Sequence, residues 1–87
     1  MKQIAFGEYK NVIGQTLLDI RLKEGLTQCE LAARMQTMNV NIDQQMISKI
    51  EKNQRQVTDY EFACFCKCLN VSYEIMLRDY ERILNQI

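Results

Sequence analysis

Residues Leu26–Arg55, LTQCELAARMQTMNVNIDQQMISKIEKNQR, decide the reading of this chain. The spacing predicts two short helices joined by a turn. Thr27 and Glu30 make a T-x-x-E capping box, in which the threonine oxygen accepts a backbone N–H and the glutamate reaches back. Leu31, Ala32 and Met35 then recur at helical spacing, so one face is apolar. This helix is expected to run to Met38, with Asn39 as a left-handed stop and Ile42 returning to the core. Asp43 suits the start of the second helix, Gln44–Lys52, because its carboxylate can accept from N–H groups that lack a helical partner. Met46, Ile47 and Ile50 make the inner stripe of that helix; Gln44, Gln45, Ser48, Lys49 and Lys52 fall on the other side. Glutamine can pair with adenine through two hydrogen bonds, and lysine can donate to guanine acceptors. An exposed polar face is also what any solvated helix requires, so spacing alone leaves the bland reading open.

Outward from this stretch, Val12–Glu24 reads as a helix with Val12, Ile13, Thr16, Leu17, Ile20 and Glu24 on one stripe, widened by Leu18 and Leu22. Gly25 ends it as a C-terminal glycine. Thr58 and Glu61 form a second T-x-x-E box and open a fourth helix through Phe62, Phe65, Cys66 and Leu69. Asn70 or Val71 stops that helix, and Ser72 caps a fifth. Met76, Leu77, Tyr80, Ile83, Leu84 and Ile87 extend an apolar stripe along the fifth helix to the end of the sequence. It either folds back on the first helix or pairs with its copy in a second subunit. Met1–Asn11 reads as an arm, poorly ordered or a short helical extension, whose Lys2 and Lys10 are solvated or touch a phosphate.

LTQCELA followed by ISKIEKNQR, with the trailing DYEFACFCKCLNVSYEIML, resembles the helix-turn-helix domain of Cro/CI-type (XRE) repressors over roughly Val12–Leu77. Two departures stand out. The turn carries extra residues, QTMNVN, and Asn53 replaces a usual glycine, a mild change because asparagine tolerates left-handed backbone. The resemblance implies an all-α, five-helix, lambda-repressor-like domain with an extended C-terminal helix. Its expected parts are an arm over 1–11, the helix-turn-helix domain over 12–77 and an extension over 78–87.

The same resemblance assigns base contacts to Gln44, Gln45, Ser48 and Lys49. It assigns phosphate contacts to Thr27, Gln28, Lys52, Asn53 and Arg55. Gln28 would also brace a recognition-helix glutamine, although an exposed helix-start residue is the plainer reading. Arg21 and Glu51 are implied as a structural ion pair holding the first helix to the third. The implied partners are double-stranded DNA and a second copy of the chain, with no cofactor, no small-molecule substrate and no membrane.

Composition frames these expectations. A chain of 87 residues, 47% of them hydrophobic, is enough for one small core. No apolar run reaches the roughly 18–20 residues needed to cross a bilayer, and no signal-peptide pattern opens the chain, so a cytoplasmic protein is expected. An attached ligand-sensing domain is not expected. Four cysteines then read as free thiols. Cys64, Cys66 and Cys68 cannot all converge on one ion, since residues two apart on a helix point about 200° away from each other. Cys64 and Cys68 offer a pair, but structural zinc usually takes four ligands and the chain has no histidine. No metal is expected, and packing as small hydrophobes is the preferred role.

Eleven basic and eleven acidic residues cancel, whereas many nucleic-acid binders are basic. Locally the balance differs: between Gln44 and Gln56, Lys49, Lys52 and Arg55 stand against Glu51 alone. A transcriptional repressor acting as a dimer fits best. The alternative is a protein-interaction module, such as an antitoxin or a phage or plasmid accessory protein, favoured by neutral charge and the apolar tail. An enzyme is not expected, because no nucleophile–base arrangement appears.

Overall fold

A computed structural model of the protein describes residues 6–87. Helices α1 (Gly14–Lys23), α2 (Gln28–Thr37), α3 (Gln44–Glu51) and α4 (Asp59–Leu69) are followed by two short segments, α5 (Tyr73–Met76) and α6 (Tyr80–Leu84). The all-α plan therefore holds, with the expected fifth helix split in two. Among the described residues, no helix is long and apolar enough to cross a membrane.

The helix starts follow from side-chain oxygens. Thr27 and Thr58 each accept from the N–H three residues on, and Glu30 and Glu61 return the bond to complete both capping boxes. Asp43 Oδ1 accepts from the Met46 N–H at 2.8 Å, and Ser72 Oγ from Ile75 at 3.1 Å. The Thr27 N–H, given to Glu30, holds that carboxyl below the usual carboxylate range. Helix α1 begins two residues later than Val12, because Asn11 Oδ1 accepts from the N–H groups of Ile13 and Gly14.

The first four helices end alike. Gly25, Asn39, Asn53 and Asn70 all have positive φ. The next N–H in each case reaches back five residues: Leu26 to Arg21, Val40 to Met35, Gln54 to Lys49 and Val71 to Cys66. The residue with positive φ itself bonds three back. This is the paired pattern of a Schellman stop. Three asparagines take the place that glycine more often fills, since their short amide tolerates left-handed backbone.

The core is one cluster. Leu17, Leu31, Met35, Ile42, Ile47, Ile50, Phe65 and Met76 are fully buried, with Ile13, Ile20 and Leu69 around them. Each such side chain contributes on the order of 1.5–3 kcal/mol on burial. Helix α3 packs on both α1 and α2, and α4 closes the core against α2. At Gly14 a Cβ would lie 2.5 Å from the Ile50 carbonyl oxygen, so α1 touches α3 backbone to backbone.

Thr16, assigned to the apolar stripe of α1, is buried with its hydroxyl at work. It donates to Asp79 Oδ2 at 3.2 Å and accepts from Arg78 Nε at 3.2 Å. Arg78 also bonds Asp19 at 3.1 Å. These bonds turn residues 77–79 in toward α1, which explains why the C-terminal helix breaks. The segment folds back, burying Met76 and Ile83.

The arm over residues 6–11 is neither loose nor helical. Phe6 and Tyr9 bridge across a turn, Phe6 stacks on Tyr80 at 5.9 Å, and the Tyr9 hydroxyl donates to Gln86 at 3.1 Å. The reading of residues 1–5, Lys2 included, lies outside the described residues.

Candidate nucleic-acid interface

Helix α3 presents its polar side outward because Ile47 and Ile50 hold the opposite side in the core. Gln45 and Lys49 are exposed, Ser48 is half-buried, and Lys52 is exposed at the helix end. Gln44 is half-buried for a definite reason. Its Nε2 donates to Gln28 Oε1 at 2.6 Å, and Gln28 Nε2 donates to Glu51 Oε1 at 2.8 Å. Glu51 in turn receives Arg21 Nε at 2.7 Å and Nη2 at 3.0 Å. Arg21 spends its remaining terminal nitrogen on the Leu26 carbonyl at 2.8 Å.

A relay of four side chains thus runs from α1 through α3 and α2 to the start of α3. The Arg21 and Glu51 side chains are only 8% and 3% exposed. At that depth neither charge is replaced by water if its partner leaves, and the bidentate fork fixes orientation as well as energy. The Gln44 amide is consequently aimed, not free to rotate. One of its N–H groups and the lone pairs of its oxygen remain for a ligand.

Thr27 and Gln28 stand at the N-terminus of α2, which the Gln28–Gln44 bond ties to the start of α3. The Thr27 oxygen is occupied as a cap, leaving its hydroxyl proton to donate. Each end of the Gln28 side chain makes one internal bond, which leaves one Nε2–H and one Oε1 lone pair, and its backbone N–H is one of those that lack a helical partner.

Two residues assigned to phosphate have other employment. Arg55 places Nη1 and Nη2 on the two Glu61 oxygens at 2.9 and 3.0 Å, and adds a bond to the Gln56 carbonyl. Its guanidinium is therefore a structural partner of α4, not an open phosphate donor. Burial pushes the Glu61 carboxyl up, but the bonds from Arg55 and Thr58 outweigh it and hold the group below its ordinary value. The same pairing raises Arg55. Asn53 accepts from the Lys10 N–H at 2.7 Å and donates to the Glu8 carbonyl at 3.1 Å, clamping the arm beside the end of α3. That clamp holds the backbone of exposed Lys10 against Asn53, the residue after Lys52.

Asn11 escaped the sequence reading. Besides starting α1, its Nδ2 donates to the carbonyls of Ile50 at 3.0 Å and Arg55 at 2.9 Å, closing the end of α3. An asparagine before an apolar run signals a helix start, but nothing local signals its partners some forty residues away.

The sulfur atoms gather elsewhere. Cys64 and Cys68, one turn apart on α4, face Met35 and Met38 at the end of α2, and burial raises the Cys68 thiol to about 11 with the Cys64 thiol adding to it. Cys66 is buried on its own, which also raises its thiol. Cys29 is exposed.

Among known families, the helix-turn-helix model matches residues 17–75, from α1 into α5. No curated protein matches the chain, and no solved structure does.

Proposed function

The chain belongs to the Cro/CI-type (XRE) helix-turn-helix family, a family of DNA-binding regulators, and from that premise we propose that it is a sequence-specific repressor. It lays α3 in the major groove and acts as a homodimer. Gln45 pairs with a base edge through its whole amide, Gln44 through the atoms its bond to Gln28 leaves free, and Lys49 and Ser48 read or brace the neighbouring positions. Thr27 and the Gln28 backbone N–H take a phosphate at the α2 N-terminus, where unpaired N–H groups and the helix dipole favour an anion. Lys52 takes a second phosphate; Asn53 and Arg55 position that loop from within.

The observation that carries this reading is the Arg21–Glu51–Gln28–Gln44 relay. Its outer end is a preset amide on an exposed polar helix, an expense of buried charge that a merely solvated face does not require. Dimerisation follows because one α3 reaches only a few base pairs, and the motif works on half-sites about one helical turn apart. Exposed Ile75, Leu77, Tyr80 and Leu84 supply an apolar surface for the second copy.

Selection from random duplexes, followed by titration at two salt concentrations, tests the proposal. An inverted repeat with steeply salt-dependent affinity is the expected result. Gln45→Ala should then cost about 1–3 kcal/mol on the selected site and little on random DNA. Absence of enrichment, or salt-insensitive binding, would turn the reading to the protein-interaction module that the exposed apolar row favours.

A further inference from the structure

Four sulfur atoms meet between α2 and α4. Cys64 Sγ lies 3.4 Å from Met38 Sδ and 3.9 Å from Cys68 Sγ. Cys68 Sγ lies 3.6 Å from Met35 Sδ and 3.8 Å from Met38 Sδ. Spacing on α4 alone offers only two ligands, Cys64 and Cys68. The pair missing from that count is supplied by Met35 and Met38, three residues apart at the end of the neighbouring helix.

The distances match a coordination shell. A metal–sulfur bond of about 2.3 Å gives a tetrahedron with edges near 3.8 Å, from the bond length times about 1.6. Four edges of this cluster fall between 3.4 and 3.9 Å. These four contacts, out of the six edges a tetrahedron has, join all four sulfurs into one cluster of the size that surrounds a single ion. Access exists as well, since Met38 is 40% exposed while Met35 is fully buried. An ion would enter past Met38 and rest against buried Met35.

We propose that Cys64, Cys68, Met35 and Met38 form a binding site for a soft monovalent cation, copper(I). Two thioethers beside two thiols, with neither imidazole nor carboxylate among the donors, suit copper(I) and disfavour zinc. On binding, both S–H protons pass to solvent, two sulfur–copper bonds form from the thiolates, and each thioether donates a lone pair. Copper stays in the +1 state. The site then carries one net negative charge, and Arg34, whose Nη1 already donates to the Cys68 carbonyl at 3.2 Å, stands beside it.

The test is an anaerobic competition for copper(I) between the reduced full chain and the chromophoric chelator bicinchoninate. The chain should withdraw one equivalent. Cys64→Ser/Cys68→Ser should bind at least about a hundredfold more weakly, at or beyond the roughly 10–100-fold cost of disturbing only outer-shell groups. Met38→Leu, near-isosteric and partly exposed, should lose about tenfold. Cys29→Ser should behave as the unaltered chain. No withdrawal, or withdrawal that survives loss of both thiols, would overturn the site. So would dependence on Cys29, or a preference for zinc in the matching zinc competition. Should the double serine variant fail to fold, an unchanged affinity in Met38→Leu would overturn the site alone.

Discussion

Glu51→Ala is the perturbation that exposes most of the design. Glu51 receives three bonds, two from Arg21 and one from Gln28, with its side chain 3% exposed. Removal leaves the Arg21 guanidinium 8% exposed with the Leu26 carbonyl as its one remaining acceptor. Breaking one side of a buried pair costs about 3–5 kcal/mol, because the other charge stays desolvated. A domain of this size holds roughly 4–13 kcal/mol in all, so the variant sits near the edge of folding. Urea denaturation should show a lower midpoint with an unchanged slope, since the surface exposed on unfolding is the same. Arg21→Met/Glu51→Leu should recover most of the loss, because it removes both charges and refills the volume. That rescued protein should still bind its operator more weakly, with Gln28 no longer anchored and Gln44 free to rotate. A loss below about 1 kcal/mol for Glu51→Ala would place the pair among exposed bridges and refute the reasoning. So would full operator affinity in the double variant.

Other outcomes follow from single contacts. Gly14→Ala should destabilise by about 1–2 kcal/mol in urea: overpacking against the Ile50 carbonyl costs about 1–3, offset by the better helix propensity of alanine. Arg55→Ala should cost about 2–3 kcal/mol, a discounted buried-pair value because Arg55 is 24% exposed. Glu61 has a folded pKa lowered by Arg55 and Thr58, so its contribution is whole above the unfolded value of about 4.3 and fades as pH falls through the folded value. Glu61→Gln should flatten that acid limb in denaturation measured between neutral and strongly acidic pH. Asn53→Gly keeps the left-handed stop but drops the arm, so hydrogen exchange at the Lys10 amide should quicken while the stability falls by less than about 1 kcal/mol.

Local chemistry made much of the fold legible. Capping boxes at Thr27 and Thr58 and asparagine stops at 39, 53 and 70 depend on residues within one turn, and sequence displays them directly. What escaped depends on distant partners. Asn11 bonds to carbonyls 39 and 44 residues away. The break at 77–79 comes from Thr16 and Asp19 on α1, so a stripe continuous in sequence is divided by a polar contact that periodicity cannot see. The arm over 6–11 gains its order from Tyr80 and Gln86, at the other end of the chain. For the candidate interface, helix placement was readable and side-chain availability was not. Arg55 and Asn53 lie in the right loop, yet their polar groups serve α4 and the arm.

Charge shows how a neutral chain can still present a cationic face to DNA. The reading of residues 44–56 set Lys49, Lys52 and Arg55 against Glu51, a surplus of two. In the structure Arg55 is consumed by Glu61 and Glu51 by Arg21. Lys49 and Lys52 remain, and the surplus is again two, but from different residues. Arg78 and Arg82 are likewise paired, with Asp19 and Asp79. Four of the eleven acids thus meet arginines, two pairs buried or largely so and two at the surface, and four arginines are matched within the chain. At the end of α3 the charged groups left to meet an anion are lysines, and the Asn53 clamp holds the Lys10 backbone beside that end. Total charge counts every ion equally, whereas a phosphate feels those that no internal partner has claimed. On that basis the salt dependence of operator binding should fall by about one when Lys49 or Lys52 becomes alanine. Arg55→Ala should leave that slope nearly unchanged once loss of folding is corrected for, although its formal charge is the same.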